Sequence, residues 1–234
     1  GIVLTAAGER LNVLARECFA SLLDFKSGCK GLPVEIVIGA GESVIDWVLM
    51  PRLAEVRKKV PNVRLKFLNL ATSDVVRRLG DGVIDFGVVR KDAVARPLRW
   101  VSLGVMGYSL FVPEGLESSG TGAKLLEALP LATLEGEGSF RKELAAIARK
   151  NRLRLRIEIE CASFPLVARA VATGSVAGIL PSVAAVDLGR LGVREMRVGV
   201  LDSLRREMCL AWNPRVLKIR TVLERACQVF SQAF

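Results

Sequence analysis

The stretch that decides the fold is Val34–Ser43, which reads VEIVIGAGES. Its first residues predict a buried strand over 34–38, and the glycines at 39 and 41 predict a turn into a helix. The first N–H groups of a helix have no intrahelical partner, so a strand that leads into a helix can bind an anion there. A second stretch, LGDGVIDFGVV at 79–89, predicts a helix end, a tight turn and another buried strand. Together they predict a ligand-binding α/β domain.

Strand and helix patterns alternate from residue 34 onwards, which favours a mainly parallel sheet covered by helices. The predicted strands are 34–38, 63–68, 83–89, 99–103, 108–112, 131–134, 153–160, 178–181, 196–201 and 208–212. The predicted helices are 44–59, one capped by Ser73 or Asp74 that runs to 79, 123–129, 140–151, 164–173 and 216–234. The polar segment 90–97 and the residues at 195–198 are predicted hinges between two lobes.

The N-terminal segment differs from the rest of the chain. Thr5 can cap a helix that runs to about Ser27, where glycines begin. Apolar residues recur along it at spacings of three and four on two strips, so the helix needs a packing partner. The partner is either another subunit, which the linker-like glycines after the helix favour, or the helix's own domain.

Composition narrows the class of protein. The chain has 234 residues, of which 51% are hydrophobic, and no apolar run long enough to cross a bilayer. Its start lacks the pattern of a secretory signal, and its five scattered cysteines form no CxxC motif. These features favour a reducing compartment, so we expect a cytoplasmic protein.

Histidine is absent, which removes Ser-His-Asp and Cys-His catalysis and the commonest metal ligand. Asp85 has no acid–base partner in the sequence and is interpreted as a structural residue that accepts turn or strand N–H groups. We therefore expect no enzymatic activity, no metal and no cofactor. The formal net charge of +10 favours anionic ligands or partners.

Several motifs resemble, in their order and spacing, the effector-binding domain of LysR-type transcriptional regulators. Residues 4–11, LTAAGERL, resemble the family's L-T-x-A-G-x-x-L, which joins the last wing strand of a winged helix-turn-helix to a long linker helix. The other motifs are LMPRL (49–53), PNVRL (61–65), LGDGVIDFGV (79–88) and VATG (171–174) followed by ILP (179–181). The chain departs from the family at Val176, where a second glycine is usual.

The resemblance implies an α/β fold of two Rossmann-like lobes of the type II periplasmic-binding-protein kind, with the chain crossing between them twice. Residues 1–30 would be the end of the wing and the linker or dimerisation helix. Residues 33–92 and 197–234 would form lobe I, and residues 93–196 would form lobe II. The winged helix-turn-helix precedes this segment in the family, so DNA would be contacted through a domain outside these residues, in a chain that is either truncated or a natural remnant.

Ligands in such sheets bind beyond the carboxyl ends of the strands. This selects the effector-binding candidates Gly41, Glu42, Ser43, Thr72, Ser73, Ser139, Phe140, Ser163 and Phe164. Ser43 offers a hydroxyl and an N–H that suit a carboxylate or phosphate, whereas Glu42 repels an anion unless it points outward or meets a cationic group. The alternative for Ser43, Thr72 and Ser73 is helix capping, and for the two phenylalanines it is core packing.

The resemblance therefore implies a sensor that binds a small, anionic metabolite between two lobes. Binding would change how a homodimer or homotetramer presents its DNA-binding domains. A solute-binding protein of the same fold that feeds a transporter is the alternative, and the missing signal pattern and the N-terminal helix disfavour it. A small-molecule enzyme on this fold would need a nucleophile and a base that the sequence does not offer.

Overall fold

The computed structural model describes residues 4–116 and 120–233. In these ranges the α-helices are α1 (Ala6–Cys29), α2 (Glu42–Val44), α3 (Leu53–Lys59), α4 (Thr72–Gly80), α5 (Leu125–Ala128), α6 (Ser139–Lys150), α7 (Phe164–Ala172), α8 (Ala185–Gly189), α9 (Pro214–Ile219) and α10 (Thr221–Ala233). The strands are β1 (Val34–Ala40), β2 (Val63–Asn69), β3 (Phe86–Arg90), β4 (Arg99–Pro113), β5 (Pro130–Leu134), β6 (Arg156–Cys161), β7 (Ala177–Pro181), β8 (Val193–Met196) and β9 (Arg205–Trp212). Residues 1–3, assigned from the sequence to the wing, and Phe234, the predicted end of the closing helix, lie outside the described residues.

The chain divides into two compact units. The first contains the residues up to Gly104 and those from Glu207 onward, and the second contains Val105–Arg206. The chain passes from one unit to the other within β4 and returns within β9. Both positions lie later in the sequence than the predicted hinges at 90–97 and 195–198. Across the described residues, no helix has the length and apolar character needed for a bilayer span.

The sheet of the first unit has the order β2-β1-β3-β9. Strand β1 is parallel to β2 and β3, and β9 is antiparallel to β3. One core cluster joins the sheet to α3 and α10, with Ile38, Val56, Phe86 and Phe230 among its buried members. The near-continuous apolar sequence of β1 and β3 is explained by helices on both faces of the sheet.

On the other face, α4 lies very close to the sheet. A Cβ atom on Gly87 would come within 2.4 Å of Val75 Cγ1 and 2.9 Å of Leu79 Cδ1. A Cβ on Gly39 would come within 2.8 Å of Ile84 Cδ1. Close packing against α4 and its neighbours therefore requires the glycines of β1 and β3.

A helical run from Glu42 to Lys59 connects β1 to β2. It starts as α2, continues as a π turn over Ile45–Leu49 and a 3₁₀ turn over Met50–Arg52, and ends as α3. Pro51 has no N–H to donate, so the regular hydrogen-bond ladder cannot pass through it, and the chain changes its turn type there. The helix predicted for 44–59 is confirmed, but its irregular centre was not expected.

The sheet of the second unit has the order β8-β4-β7-β5-β6. Strand β5 is parallel to β6 and β7, whereas β4 is antiparallel to β7 and β8. Its core contains Leu110, Leu126, Leu131 and Ile179, which are all less than 2% exposed. Parallel pairing is therefore confined to part of each sheet.

Three sequence-based predictions about the elements were wrong. The strands predicted at 99–103 and 108–112 form one strand, β4. The strand predicted at 196–201 ends at Met196, and Gly199–Leu201 is a 3₁₀ turn. The helix predicted at 216–234 is interrupted at Arg220, which has φ −109° and ψ 90°. Periodicity does not resolve such short apolar runs, because a few residues fit several structures equally well.

A buried ion cluster explains the interruption at Arg220. Arg220 donates from Nη1 to Asp85, from Nε to Asp24 Oδ2 at 2.6 Å, and from Nη2 to the Glu35 carbonyl at 2.7 Å. Asp85 in turn accepts the Val37 N–H at 2.7 Å. The interpretation of Asp85 as a structural residue is confirmed, and the cluster joins α1 to strand β1 and to the segment that contains Arg220.

Charge and burial compete in this cluster. Burial alone would lower the pKa of Arg220, but the hydrogen bond with Asp24 and the charge of Asp85 outweigh it and raise that pKa. Burial raises the pKa of the Asp85 carboxyl above its ordinary value, against the opposing charge of Arg220. Arg220 therefore stays charged in the interior, where its partners must compensate for lost hydration.

Helix α1 begins as the sequence predicts. Thr5 is its N-cap, and the Thr5 hydroxyl accepts the Gly8 N–H at 3.1 Å. The helix continues to Cys29, two residues past the predicted end. Its apolar side chains are largely uncovered, since Leu11, Leu14, Phe19, Leu22, Leu23 and Phe25 are 57–72% exposed.

Candidate functional site

Two helix N-termini lie at one edge of the first unit's sheet. Strands β1 and β2 end together, because Ala40 pairs with Asn69 and the Leu70 N–H donates to the Ala40 carbonyl at 3.0 Å. The helical run from Glu42 and helix α4 start directly after these strands. Their N-cap residues, Gly41 and Ala71, form no side-chain cap hydrogen bond. This edge therefore presents N–H groups and partial positive charge.

Gly41 has extended backbone, and its carbonyl accepts the N–H groups of Val44 and Ile45, both at 3.0 Å. Ser43 lies inside the first turn and is half-buried, whereas Glu42 is exposed. Capping by Ser43, the alternative to ligand binding, is therefore wrong. The exposure of Glu42 keeps its carboxylate solvated.

Thr72 and Ser73 are the first two helical residues of α4. Thr72 is half-buried and Ser73 is exposed. The prediction that Ser73 or Asp74 caps the helix is wrong, because extended backbone at Ala71 starts the helix earlier and Asp74 instead accepts from Arg77 at 2.8 Å. The structure thus brings the candidates 41–43 and 72–73 to the same edge of the first unit.

The second unit has a comparable edge. Strands β5 and β6 end together at Leu134 and Cys161. Ser139 is the exposed first residue of α6, and Ser163 is the N-cap of α7. The Ser163 hydroxyl caps nothing: its oxygen is buried and has no hydrogen-bond partner among the described residues.

Other buried donors of this unit also lack partners within the described part of the chain. They are Thr133 Oγ1, Arg141 Nη1 and Arg206 Nη2. Arg141 uses its other terminal nitrogen to donate to Glu160 at 2.8 Å, and Glu160 pairs in register with Thr133. Sequence reasoning missed these residues. Two of them fit a pattern that can be read from a sequence. Thr133 carries a hydroxyl next to the end of a strand, and Arg141 is an arginine in the first turn of the helix that follows.

Phe140 and Phe164 form an aromatic group with Tyr108. The ring centroids of Phe140 and Phe164 are 4.9 Å apart at a nearly perpendicular angle, and that of Tyr108 lies 5.2 Å and 5.7 Å from them. Phe140 is only 5% exposed and belongs to the core of the second unit. The contacts therefore favour core packing for Phe140, and a role as a ligand wall stays a prediction.

A further polar group lies within the second unit. The Ser109 hydroxyl donates to Glu195 at 2.6 Å and lies 2.9 Å from the Ser182 hydroxyl. A pocket of about 320 Å³ adjoins it, with Arg197 and Arg205 in its lining. Nothing in the sequence pattern brings these residues together, because they come from three separate segments.

The described residues contain no group of three His, Cys, Asp or Glu side chains placed to hold a metal ion. Both edges offer hydrogen-bond donors, which are the N–H groups of helix N-termini and hydroxyl groups. The second unit adds an arginine. Such an arrangement can hold an anionic or strongly polar small molecule.

Comparisons with known proteins agree with this geometry. A family model described as the LysR substrate binding domain matches residues 31–226. No curated protein matches the chain in sequence.

Solved structures share the fold at low sequence identity. An H₂O₂-bound cysteine-to-serine mutant of OxyR from Corynebacterium glutamicum is 19% identical, with TM-score 0.67 over 99% of this chain and 76% of that one. Full-length CbnR complexed with its target DNA is 17% identical, and the match, with a TM-score of 0.70, covers 100% of this chain and 83% of that chain. A reduced form of OxyR from N. meningitidis is 17% identical, and the match, with a TM-score of 0.66, covers 85% of this chain and 95% of that chain.

The predicted α/β fold with two lobes of the periplasmic-binding-protein kind is thereby confirmed. The family model covers most of the chain, including both units and the two strand edges. This chain therefore belongs to the LysR substrate-binding domains, the effector-binding part of LysR-type transcriptional regulators.

Proposed function

We propose that this domain senses a small anionic metabolite, which binds between the two lobes at the carboxyl edges of their sheets. Binding favours one arrangement of a homo-oligomer and so changes how the regulator acts on DNA. An effector can shift such an equilibrium only if it binds the two states with different affinity. We also propose a cytoplasmic location, because a regulator of this kind acts on DNA.

The observation that carries the proposal is the Ser163 hydroxyl. It stands at the N-terminus of α7, buried and without a partner among the described residues. A buried hydroxyl without a hydrogen bond costs about 1–3 kcal/mol, which a ligand acceptor would recover. The equally unpartnered Thr133 Oγ1 and Arg141 Nη1 in the same unit favour an acceptor-rich, negatively charged ligand.

The first unit would supply the opposite side of the site. Ser43 and Thr72 are half-buried at adjacent helix N-termini, and neither hydroxyl is used as a cap. Glu42 is exposed beside them. An effector that carries both an anionic group and a cationic or hydrogen-bond-donating group would match this combination.

The oligomer would be joined through α1. Six large apolar side chains of this helix are exposed in the single chain, as given above. An apolar face of this size on a helix is typical of a protein–protein interface. The oligomeric state and the number of subunits are part of the proposal.

Thermal-shift screening against small carboxylates, amino acids, aromatic acids and phosphates is the first test. A ligand found in this way is then titrated by calorimetry into the native chain and into Ser43→Ala and Ser163→Ala variants. Loss of one hydrogen bond to a charged ligand costs about 1.5–3 kcal/mol, so affinity should fall about 10-fold to 150-fold in each variant.

Ser231→Ala is the matched control. Its hydroxyl donates within α10, to the Cys227 carbonyl at 2.6 Å, and it belongs to neither edge. We expect native affinity in this variant. If both edge variants also keep native affinity and native melting temperatures, the proposed position of the effector is wrong.

A further inference from the structure

A basic groove lies in the first unit. It has a volume of about 990 Å³ and lies between the segment that precedes β4 and helix α9. Three cations, Arg96, Arg99 and Lys218, contribute to its lining, together with Trp100. None of the effector-binding candidates lines it, so the proposed effector site does not account for this groove.

Within the described ranges, the cations of this groove have no neutralising partner. No carboxylate is among its lining residues, and no ion pair joins Arg96, Arg99 or Lys218 to another described residue. The acidic side chains of the adjoining segments are already engaged: Asp92 lies 3.6 Å from Arg90, and Glu207 lies 2.8 Å from Lys91. Three like charges that share one groove attract an anion from solution.

Trp100 gives the groove an aromatic wall. Its side chain is 41% exposed, although large aromatic side chains are usually buried. The Lys91 ammonium, which is paired with Glu207, lies 4.7 Å from the ring centroid and occupies part of one ring face. A ligand with a ring system beside its anionic group could stack on the remaining exposed surface of the indole.

We infer that this groove binds phosphate groups. Arginine holds phosphate oxygens through two parallel hydrogen bonds, and lysine acts as a compact point charge, so Arg96, Arg99 and Lys218 together suit a group with two charges and several acceptors. The phosphate belongs either to a small organic phosphate such as a nucleotide or to the backbone of duplex DNA. The inference does not depend on the proposed effector site.

The test uses the full 234-residue chain in phosphate-free buffer, titrated with ATP and, separately, with adenosine. Intrinsic tryptophan fluorescence reports binding, because Trp100 is exposed whereas Trp47 is only 7% exposed and Trp212 is half-buried. We expect a saturable signal with ATP and none with adenosine. The signal should disappear in Trp100→Phe, while calorimetry still detects ATP binding in that variant.

Two double variants, one with charge reversals in the groove and one with charge reversals elsewhere in the unit, test whether ATP binds in the groove. Arg96→Glu with Arg99→Glu should weaken ATP binding by about tenfold or more, since each lost contact to a charged group is worth at least that factor. Arg57→Glu with Lys66→Glu makes the same charge change at exposed positions of the same unit and should keep affinity within about twofold. Ser163→Ala should leave ATP binding unchanged, which separates this inference from the effector proposal.

Duplex DNA of arbitrary sequence, measured by fluorescence anisotropy over a range of salt concentrations, forms the second arm. If backbone phosphates occupy the groove, the salt-dependence slope of the Arg96→Glu, Arg99→Glu variant should fall by about two. Specific loss of ATP binding alone identifies a small organic phosphate, and specific loss of DNA binding alone identifies the backbone. Equal weakening in the groove and control variants, or no binding of either probe by the native chain, overturns the inference.

Discussion

Arg220 is a buried cation that several partners hold at once. Its guanidinium is 8% exposed and lies between Asp85, which is 5% exposed, and Asp24, which is 20% exposed. Removing one member of such a cluster leaves a buried charge without compensation, and that loss is more costly than the intact cluster is stabilising. The cluster is therefore a specific requirement of this fold.

We expect Arg220→Met to lower the free energy of unfolding by about 3–5 kcal/mol, because two carboxylates then remain without their cation. Urea denaturation measures the change. Arg225→Met, an exposed change of the same kind in α10, should alter stability by no more than about 0.5 kcal/mol. Adding Asp85→Asn to Arg220→Met should recover part of the loss. A double variant that is less stable still would contradict this account.

At the scale of elements, the βα units of the first half could be predicted well and the short elements of the second half could not. Strand β1 and the helical run after it carry strong signals, which are a near-continuous apolar run, glycines at the turn and apolar residues along one side of the helix. The segments that form α8 and the 3₁₀ turn at Gly199–Leu201 are too short to have a period of their own. Tertiary contacts decide their conformation.

The candidate site likewise has parts that the sequence predicts and parts that it does not predict. The N-terminal positions of α2, α4, α6 and α7 follow from the order of strands and helices, and the predicted residues do lie at the starts of these helices. The sequence did not reveal which buried donors, such as those of Arg141 and Arg206, lack partners. That property depends on neighbours such as Glu160 and Glu143, which come from other elements.

Helix α1 allows a prediction about assembly. If its apolar face packs against another copy, the native chain should be dimeric or larger by light scattering at tens of micromolar. Phe19→Asp with Leu22→Asp should shift it towards monomer, because burying two carboxylates in an apolar interface is strongly unfavourable.

Lys26→Asp places a carboxylate at an exposed polar position of the same helix and should leave the assembly intact. Circular dichroism would establish that α1 still forms in each variant. A native chain that is monomeric throughout this concentration range would contradict the proposal that α1 is an interface.

At the scale of the whole molecule, each unit has a hydrophobic core of its own. A ligand that binds only one unit stabilises that unit alone, whereas an effector held by both should stabilise both. At about 100 times its dissociation constant, such an effector should raise the free energy of unfolding by about 2.7 kcal/mol.

Hydrogen exchange followed by mass spectrometry can distinguish the two cases. With effector present, we expect slower exchange at the N-termini of α2 and α4 in the first unit and of α6 and α7 in the second. The middle of α10, whose buried residues belong to the first core, serves as an internal reference. Protection that is confined to one unit would show that the effector does not bridge them.

The contact between Asp24 and Arg220 also has a consequence for how the protein is made. These residues are separated by 196 positions. At about 5–20 residues per second, a ribosome reaches Arg220 roughly 10–40 s after Asp24. During that interval α1 has emerged without its ionic partner and with its apolar face uncovered. The nascent chain is therefore exposed to aggregation and to chaperone binding at α1 until the segment that contains Arg220 has been made.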